Sequence, residues 1–121
     1  VILIFRLVVA GSRSFSDYER MAADLDRLLV NRLPAVEIVC GGCPSGADDL
    51  AIRYANDRRL ALRIFKAEWS TFGRPAGPLR NAKMVEYGDA VIVYWDGQSP
   101  GTASMIKCAQ DRGKRCVIRR F

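Results

Sequence analysis

Two short stretches of this sequence carry the ingredients of an anion site. In "GGCPSGAD" (41–48) a glycine pair, Gly41 and Gly42, precedes Ser45 and Gly46 at the start of an amphipathic run. In "WDGQSPGTASMI" (95–106) Gly97, Ser99, Gly101 and Thr102 stand in the same relation to the run that follows. Amides exposed at a helix start, with the dipole behind them, favour a phosphate or carboxylate. Ser45 adds a hydroxyl that can cap the helix or donate to the anion. "AGSRSFSD" (10–17) contributes Gly11, Ser12 and Arg13, and "GRPAGPLRNAKM" (73–84) contributes Arg74, Arg80 and Asn81. Arginine suits such a site because its planar fork contacts phosphate through two bonds at once. "GGCPSGAD" is neither a Walker A loop, which needs Gly-Lys-Ser/Thr, nor a GxGxxG fingerprint.

Three further residues admit a bland and a functional role. Asp48 either complements the dipole of its own helix or reaches a ribose hydroxyl. Asp96 either binds a ribose or caps its turn, and Trp95 either stacks on a base or packs at a strand end. Arg80, Asp48 and Asp96 are the candidates for catalysis, and the whole set suggests a ligand with phosphates and a sugar.

Cys40 and Cys43 form a CxxC across the first glycine pair. A metal site needs more ligands, yet the chain has no His, and Cys108 and Cys116 do not repeat the spacing. A redox role gains from the helix start, which lowers a thiol pKa. Against it, Cys40 ends a buried-type strand, where Cys behaves as a small hydrophobe. The stretch reads as a phosphate-type turn, with no metal and no cofactor implied.

These segments fall between regular elements. "LIFRLVVA" (3–10) is an apolar, β-branched run of the kind covered on both faces. A helix capped by Ser16, with Glu19 completing a capping box, carries Tyr18, Met21, Ala22, Leu25, Leu28, Leu29 and Leu33 at helical spacing and ends at Pro34. Strand 35–40 leads to a helix over 46–56, and strand 61–67 to a Gly/Pro-rich loop, 68–78. A helix over 79–87, strand 89–95, turn 96–101, helix 101–112 and a charged edge strand 115–120 complete the alternation. The fold class is therefore α/β: one Rossmann-like three-layer domain over 1–121 with a mostly parallel sheet of about five strands. In such sheets ligands bind beyond the carboxyl ends of the strands, near a switch point. That rule selects the loops 11–16, 41–46, 68–78 and 96–101.

Bulk composition agrees. Half of the 121 residues are apolar and 26% are charged, which is ordinary for a globular domain. No apolar run approaches the roughly 20 residues of a membrane span. "VILIFRLVVA" is broken by Arg6 and lacks a basic leader and a cleavage site, so it reads as a strand rather than a signal peptide. Four unevenly spaced cysteines point to a reduced, cytoplasmic protein rather than a disulfide framework. The net charge of +6 permits nucleic acid, but the basic residues are scattered and have no interleaved aromatic stripe. A nucleotide-like small molecule is the favoured partner, no membrane is expected, and a homo-oligomer is compatible with this reading.

"GSRSFSD", "GGCPSGAD", "GRPAGPLRNAKM" and "WDGQSPGTASMI", in that order and after successive strands, resemble the YspA-type branch of the SLOG superfamily. That superfamily also includes the LOG proteins and DprA. The resemblance covers essentially the whole chain and implies a Rossmann-like fold that binds a nucleotide or nucleotide-derived ligand. It would place Gly41, Gly42, Ser45, Gly46 and Asp48 on one half of the pocket, and Gly97, Ser99, Gly101 and Thr102 on the other. LOG enzymes carry PGGxGTxxE with a catalytic Glu and an RKxxM-like stretch with a catalytic Arg. Here Arg80–Met84 resembles the second, but Met105 stands where the Glu would fall. The expected function is thus ligand binding by a sensor or sequestering domain. A nucleotide-processing enzyme acting on an N-glycosidic or phosphate bond is the alternative, and DprA-like nucleic-acid binding a weaker one.

Overall fold

The computed structural model describes residues 3–121; Val1 and Ile2, which open the stretch read as a strand, lie outside the described residues. The chain alternates as β1 (Phe5–Gly11), α1 (Tyr18–Leu28), β2 (Val36–Cys40), α2 (Ala47–Asp57) and β3 (Ala61–Ile64), then α3 (Trp69–Phe72), α4 (Ala76–Tyr87), β4 (Ala90–Trp95), α5 (Pro100–Asp111) and β5 (Arg115–Arg120). All strand pairs are parallel and the order is β3-β2-β1-β4-β5, so the sheet is Rossmann-like with its direction of winding reversed between β1 and β4.

The β-branched runs become strands because each strand side meets helices. Leu7, Val9, Ile38, Cys40, Ile92 and Tyr94 pack on the side that includes Met21 and Leu25 of α1 and Ala51 and Tyr54 of α2. Val8, Ala10, Val39, Val91 and Val93 pack with Met84 and Val85 of α4 and Met105 and Ile106 of α5. Successive strand residues thus serve opposite cores, as a period of two requires. Asp24 of α1 is only 6% exposed, and three donors satisfy it: Tyr94 Oη at 3.0 Å, Arg119 Nε at 3.1 Å and Arg119 Nη2 at 3.2 Å. A charge this buried persists only when paired in this way, and the network fastens α1 to β4 and β5. Arg20 of α1 adds a bond to the Arg120 carbonyl at 3.0 Å.

The structure corrects several boundaries. Asp17, not Ser16, caps α1, its carboxylate accepting from the Arg20 amide at 3.0 Å. The helix ends at Leu28 rather than Pro34: the Arg32 and Leu33 amides both turn back to the Leu29 carbonyl, and Leu29–Pro34 form a turn from which Leu33 still reaches the core. β1 begins at Phe5, leaving Leu3 and Ile4 exposed, and β3 stops at Ile64, short of 67. The loop 68–78 contains α3 and the first turn of α4, which starts at Ala76 and not 79. Gly77 and Pro78 look like helix breakers, yet the first turn has no intrahelical amide bonds for a proline to remove.

Candidate functional site

A cleft of about 860 Å³ opens at the carboxyl ends of β1 and β4, within the 300–1,000 Å³ usual for small-ligand sites. Of the residues singled out from sequence, Gly11, Ser12, Arg13, Asp48, Arg74, Arg80, Asn81, Ser99, Gly101 and Thr102 line it. Its charged side chains are three arginines, Arg13, Arg74 and Arg80, against one carboxylate, Asp48.

β1 delivers Gly11 and Ser12 to the floor. Ser12 is a hub: its amide donates to the Tyr94 carbonyl at 2.8 Å, its own carbonyl accepts from Phe15 and Ala47, and Oγ accepts from the Asp96 amide at 3.2 Å. α4 delivers Arg80 and Asn81. The Arg80 guanidinium donates through Nη1 to the Gly41 and Phe65 carbonyls, both at 3.3 Å, and through Nε to Asn81 Oδ1 at 3.1 Å. Asn81 Nδ2 in turn donates to the Gly101 carbonyl at 3.4 Å, joining α4 to the start of α5. An arginine held by three acceptors keeps its remaining N–H groups fixed in direction, which is preorganisation for an anion.

Asp48 stands in the first turn of α2 and is 9% exposed, its Oδ2 accepting from the Cys43 amide at 3.1 Å. Burial raises its pKa above the ordinary value, against the opposing pull of that amide, Arg80, the Gly41 amide and Arg13. It is a buried acid facing a cleft that is otherwise cationic.

Seven expected residues do not line the cleft. Gly41 lies against Arg80 and Asp48: an added Cβ would collide with Arg80 Nη1 and come within 3.0 Å of Asp48 Oδ2. Its missing side chain leaves the space that the Arg80 guanidinium and the Asp48 carboxylate border. Gly42 packs against Ile64. Gly46, at φ 75°, is the N-cap of α2 and presses on the Ser12 and Arg13 backbone. Ser45 is exposed and makes no cap bond to α2. Asp96 closes its own turn, accepting from the Gln98 and Ser99 amides at 2.8 Å and from Ser99 Oγ at 2.9 Å. The Ser99 and Gln98 amides hold its pKa down at about 2. Trp95 donates its indole N–H to the Ser99 carbonyl at 3.2 Å and carries Arg120 over its ring, and Arg120 also fills the space a Gly97 side chain would need.

The cleft is also lined by Met105 and by residues that sequence reasoning missed, among them Ser14, Cys43, Trp69, Met84 and Ser104. Met84 and Met105 are core residues as well, at 1% exposure, and Met105 is the residue that stands where the resemblance would put a catalytic Glu. Of the missed residues only Trp69 carried a signal, a tryptophan within the Gly/Pro-rich stretch 68–78. The four cysteines are free, and burial pushes the Cys40 thiol up to about 11, far from a reactive thiolate. Among the described residues no group of three or more Cys, Asp and Glu is placed to hold a metal ion, and no helix is long and apolar enough to cross a membrane.

Known proteins resemble this chain in sequence and in fold. Its backbone is similar to that of a molybdenum cofactor binding protein from Rippkaea orientalis (TM-score 0.73, 18% identity, 100% of this chain and 79% of that one). It is also similar to DNA processing protein A from Helicobacter pylori, described for its single-stranded DNA binding mode (TM-score 0.70, 18% identity). That match covers 96% of this chain but only 65% of the other. The molybdenum cofactor carrier protein of Chlamydomonas reinhardtii matches with a TM-score of 0.63 at 16% identity, over 95% of this chain and 76% of that one. At such identities the likeness establishes the fold alone. In sequence, the Gene 61 protein of Mycobacterium phage D29 is 32% identical over 118 aligned residues, 89% of this chain and 90% of that protein. Residues 5–72, from β1 through α3, match the family described as "YspA, cpYpsA-related SLOG family". With more than half its length matched and a relative aligned over most of the rest, the chain belongs to the YspA, cpYpsA-related SLOG family.

Proposed function

We propose that the chain binds a nucleotide or nucleotide-derived small ligand in the cleft between β1 and β4, as a sensor or sequestering domain. The observation that supports this is the convergence of Arg13, Arg74 and Arg80 on one cavity with the first turn of α5. A phosphate is the group that such donors suit. The free cysteines fit a reduced, cytosolic setting.

Arg80 carries the test. A bond to a charged group is worth roughly 1.5–3 kcal/mol, so Arg80→Ala should weaken nucleotide binding about tenfold or more in calorimetry. The same change frees the Gly41 and Phe65 carbonyls and lowers Tm. A lower Tm with unchanged affinity would make Arg80 a purely structural residue and remove the main support. Mass spectrometry of small molecules released from the denatured protein identifies the natural ligand directly.

Asp48 favours a second reading, a nucleotide-processing enzyme, because it is a buried acid on the same cleft as the arginines. It would stabilise the positive charge that develops on a ribose as a base departs. Met105 supplies no such charge. Multiple-turnover release of free base from a nucleotide panel, abolished by Asp48→Asn, would promote the enzyme over the binding domain. Nucleic-acid binding, the activity named for the Helicobacter relative, would instead appear as affinity for single strands that falls steeply with salt.

A further inference from the structure

We propose that Trp69 is the platform on which a planar heteroaromatic ring of the bound ligand stacks, an inference that rests on the phosphate-binding reading above. Trp69 opens α3 and lines the cleft while remaining 55% exposed. Leaving one of the largest apolar side chains this open forgoes burial that a stacked ring restores.

The indole has a built seat. Gly77, in the first turn of α4, lies beneath the benzo edge: an added Cβ would stand 3.1 Å from Cη2 and 3.7 Å from Cζ3. Glycine is a poor helix former, and here its bare backbone is what lets the ring lie close against α4. The only other tryptophan, Trp95, is not on the cleft, so its ring is not available for this role.

The rest of the cavity divides the ligand accordingly. Arg13, Arg74 and Arg80 provide for its anion, whereas Pro78, Met84 and Met105 give the lining an apolar sector near α4 and α5. A volume of about 860 Å³ exceeds what a phosphate alone would fill. The ligand class is therefore a heteroaromatic ring carried on a phosphate, with Trp69 distinguishing it from a bare sugar phosphate.

The experiment compares AMP and GMP with ribose 5-phosphate by calorimetry on the native protein, Trp69→Ala and Trp69→Phe. At least one nucleotide should bind about tenfold more tightly than ribose 5-phosphate, the scale of one base–aromatic stack. Trp69→Ala should erase that advantage and leave ribose 5-phosphate binding unchanged, while Trp69→Phe retains most of it. In a Trp95→Phe background the same nucleotide should quench the remaining tryptophan fluorescence, and ribose 5-phosphate should not. Equal affinity for nucleotides and ribose 5-phosphate, or equal losses for both in Trp69→Ala, overturns the stacking role and leaves the phosphate site standing. Failure of all three probes to bind overturns the phosphate site and the stacking role together.

Discussion

The turns from β2 to α2 and from β4 to α5 look alike as sequence and differ as structure. Both place glycines after a strand and before a helix. At the first, the chain satisfies itself: the Ala47 amide donates to the Ser12 carbonyl, the Cys43 amide to Asp48, and two acidic residues, Asp48 and Asp49, occupy the first turn. At the second, the first turn holds no acidic residue, and Gly101 and Thr102 face the cleft. One helix start carries its carboxylates inside the first turn; the other carries its carboxylate, Asp96, ahead of the N-cap, where it accepts from the Gln98 and Ser99 amides.

Breaking the first turn should have the largest effect. Gly46→Ala would hold an L residue at φ 75° with its Cβ against the Ser12 and Arg13 backbone, which cannot yield. A cost of roughly 3 kcal/mol is expected, seen as a fall in Tm on the order of 10 °C. A smaller fall should follow Asp96→Asn in the second turn. Because the folded carboxyl sits at about 2 against an ordinary 3.8, its contribution is present above pH 3.8 and is lost as pH falls from there to about 2. The Tm gap between native and variant should close across that window; a gap independent of pH would mean the charge is not what holds the turn.

Asp48→Asn should act in the opposite direction. Its folded pKa is raised, so between the ordinary 3.8 and the folded value the folded state binds more protons than the unfolded state. Stability falls with rising pH across that window, and the deficit persists at neutral pH. The variant should therefore melt slightly higher than the native protein at pH 7 and match it below the window. The least change is expected for Gly101→Ala, where an added Cβ meets nothing within 4 Å. A gain of up to about 1 kcal/mol is expected in chemical denaturation, since alanine is the better helix former. A loss would make the second turn as crowded as the first.

The same contrast explains how much could be read from the chain. The strands were legible because Leu7–Ala10, Val36–Cys40 and Ala90–Tyr94 need cover on both faces, and β-branched runs announce that. The edge of the sheet that carries the cleft followed from the alternation and the switch point. What stayed hidden were distances across the chain. Nothing local tells a glycine spared for a ligand from one spared for Arg80 and Asp48, as at Gly41. Ser16 and Asp17 are both good caps, and only the fold chooses between them. Pro78 reads as a breaker until its place in a first turn is known. Asp24 lies 70 residues from Tyr94 and 95 from Arg119, so its network has no sequence signature.

That network makes the two edges of the sheet dynamically unequal. β5 is fastened to α1 through Arg119 and Asp24, and again through Arg20, so peeling it away means uncovering a buried carboxylate. β3 is four residues long, three of them exposed. In native-state hydrogen exchange the amides of β3 should open alone and early, whereas those of β5 exchange only in a larger opening shared with α1.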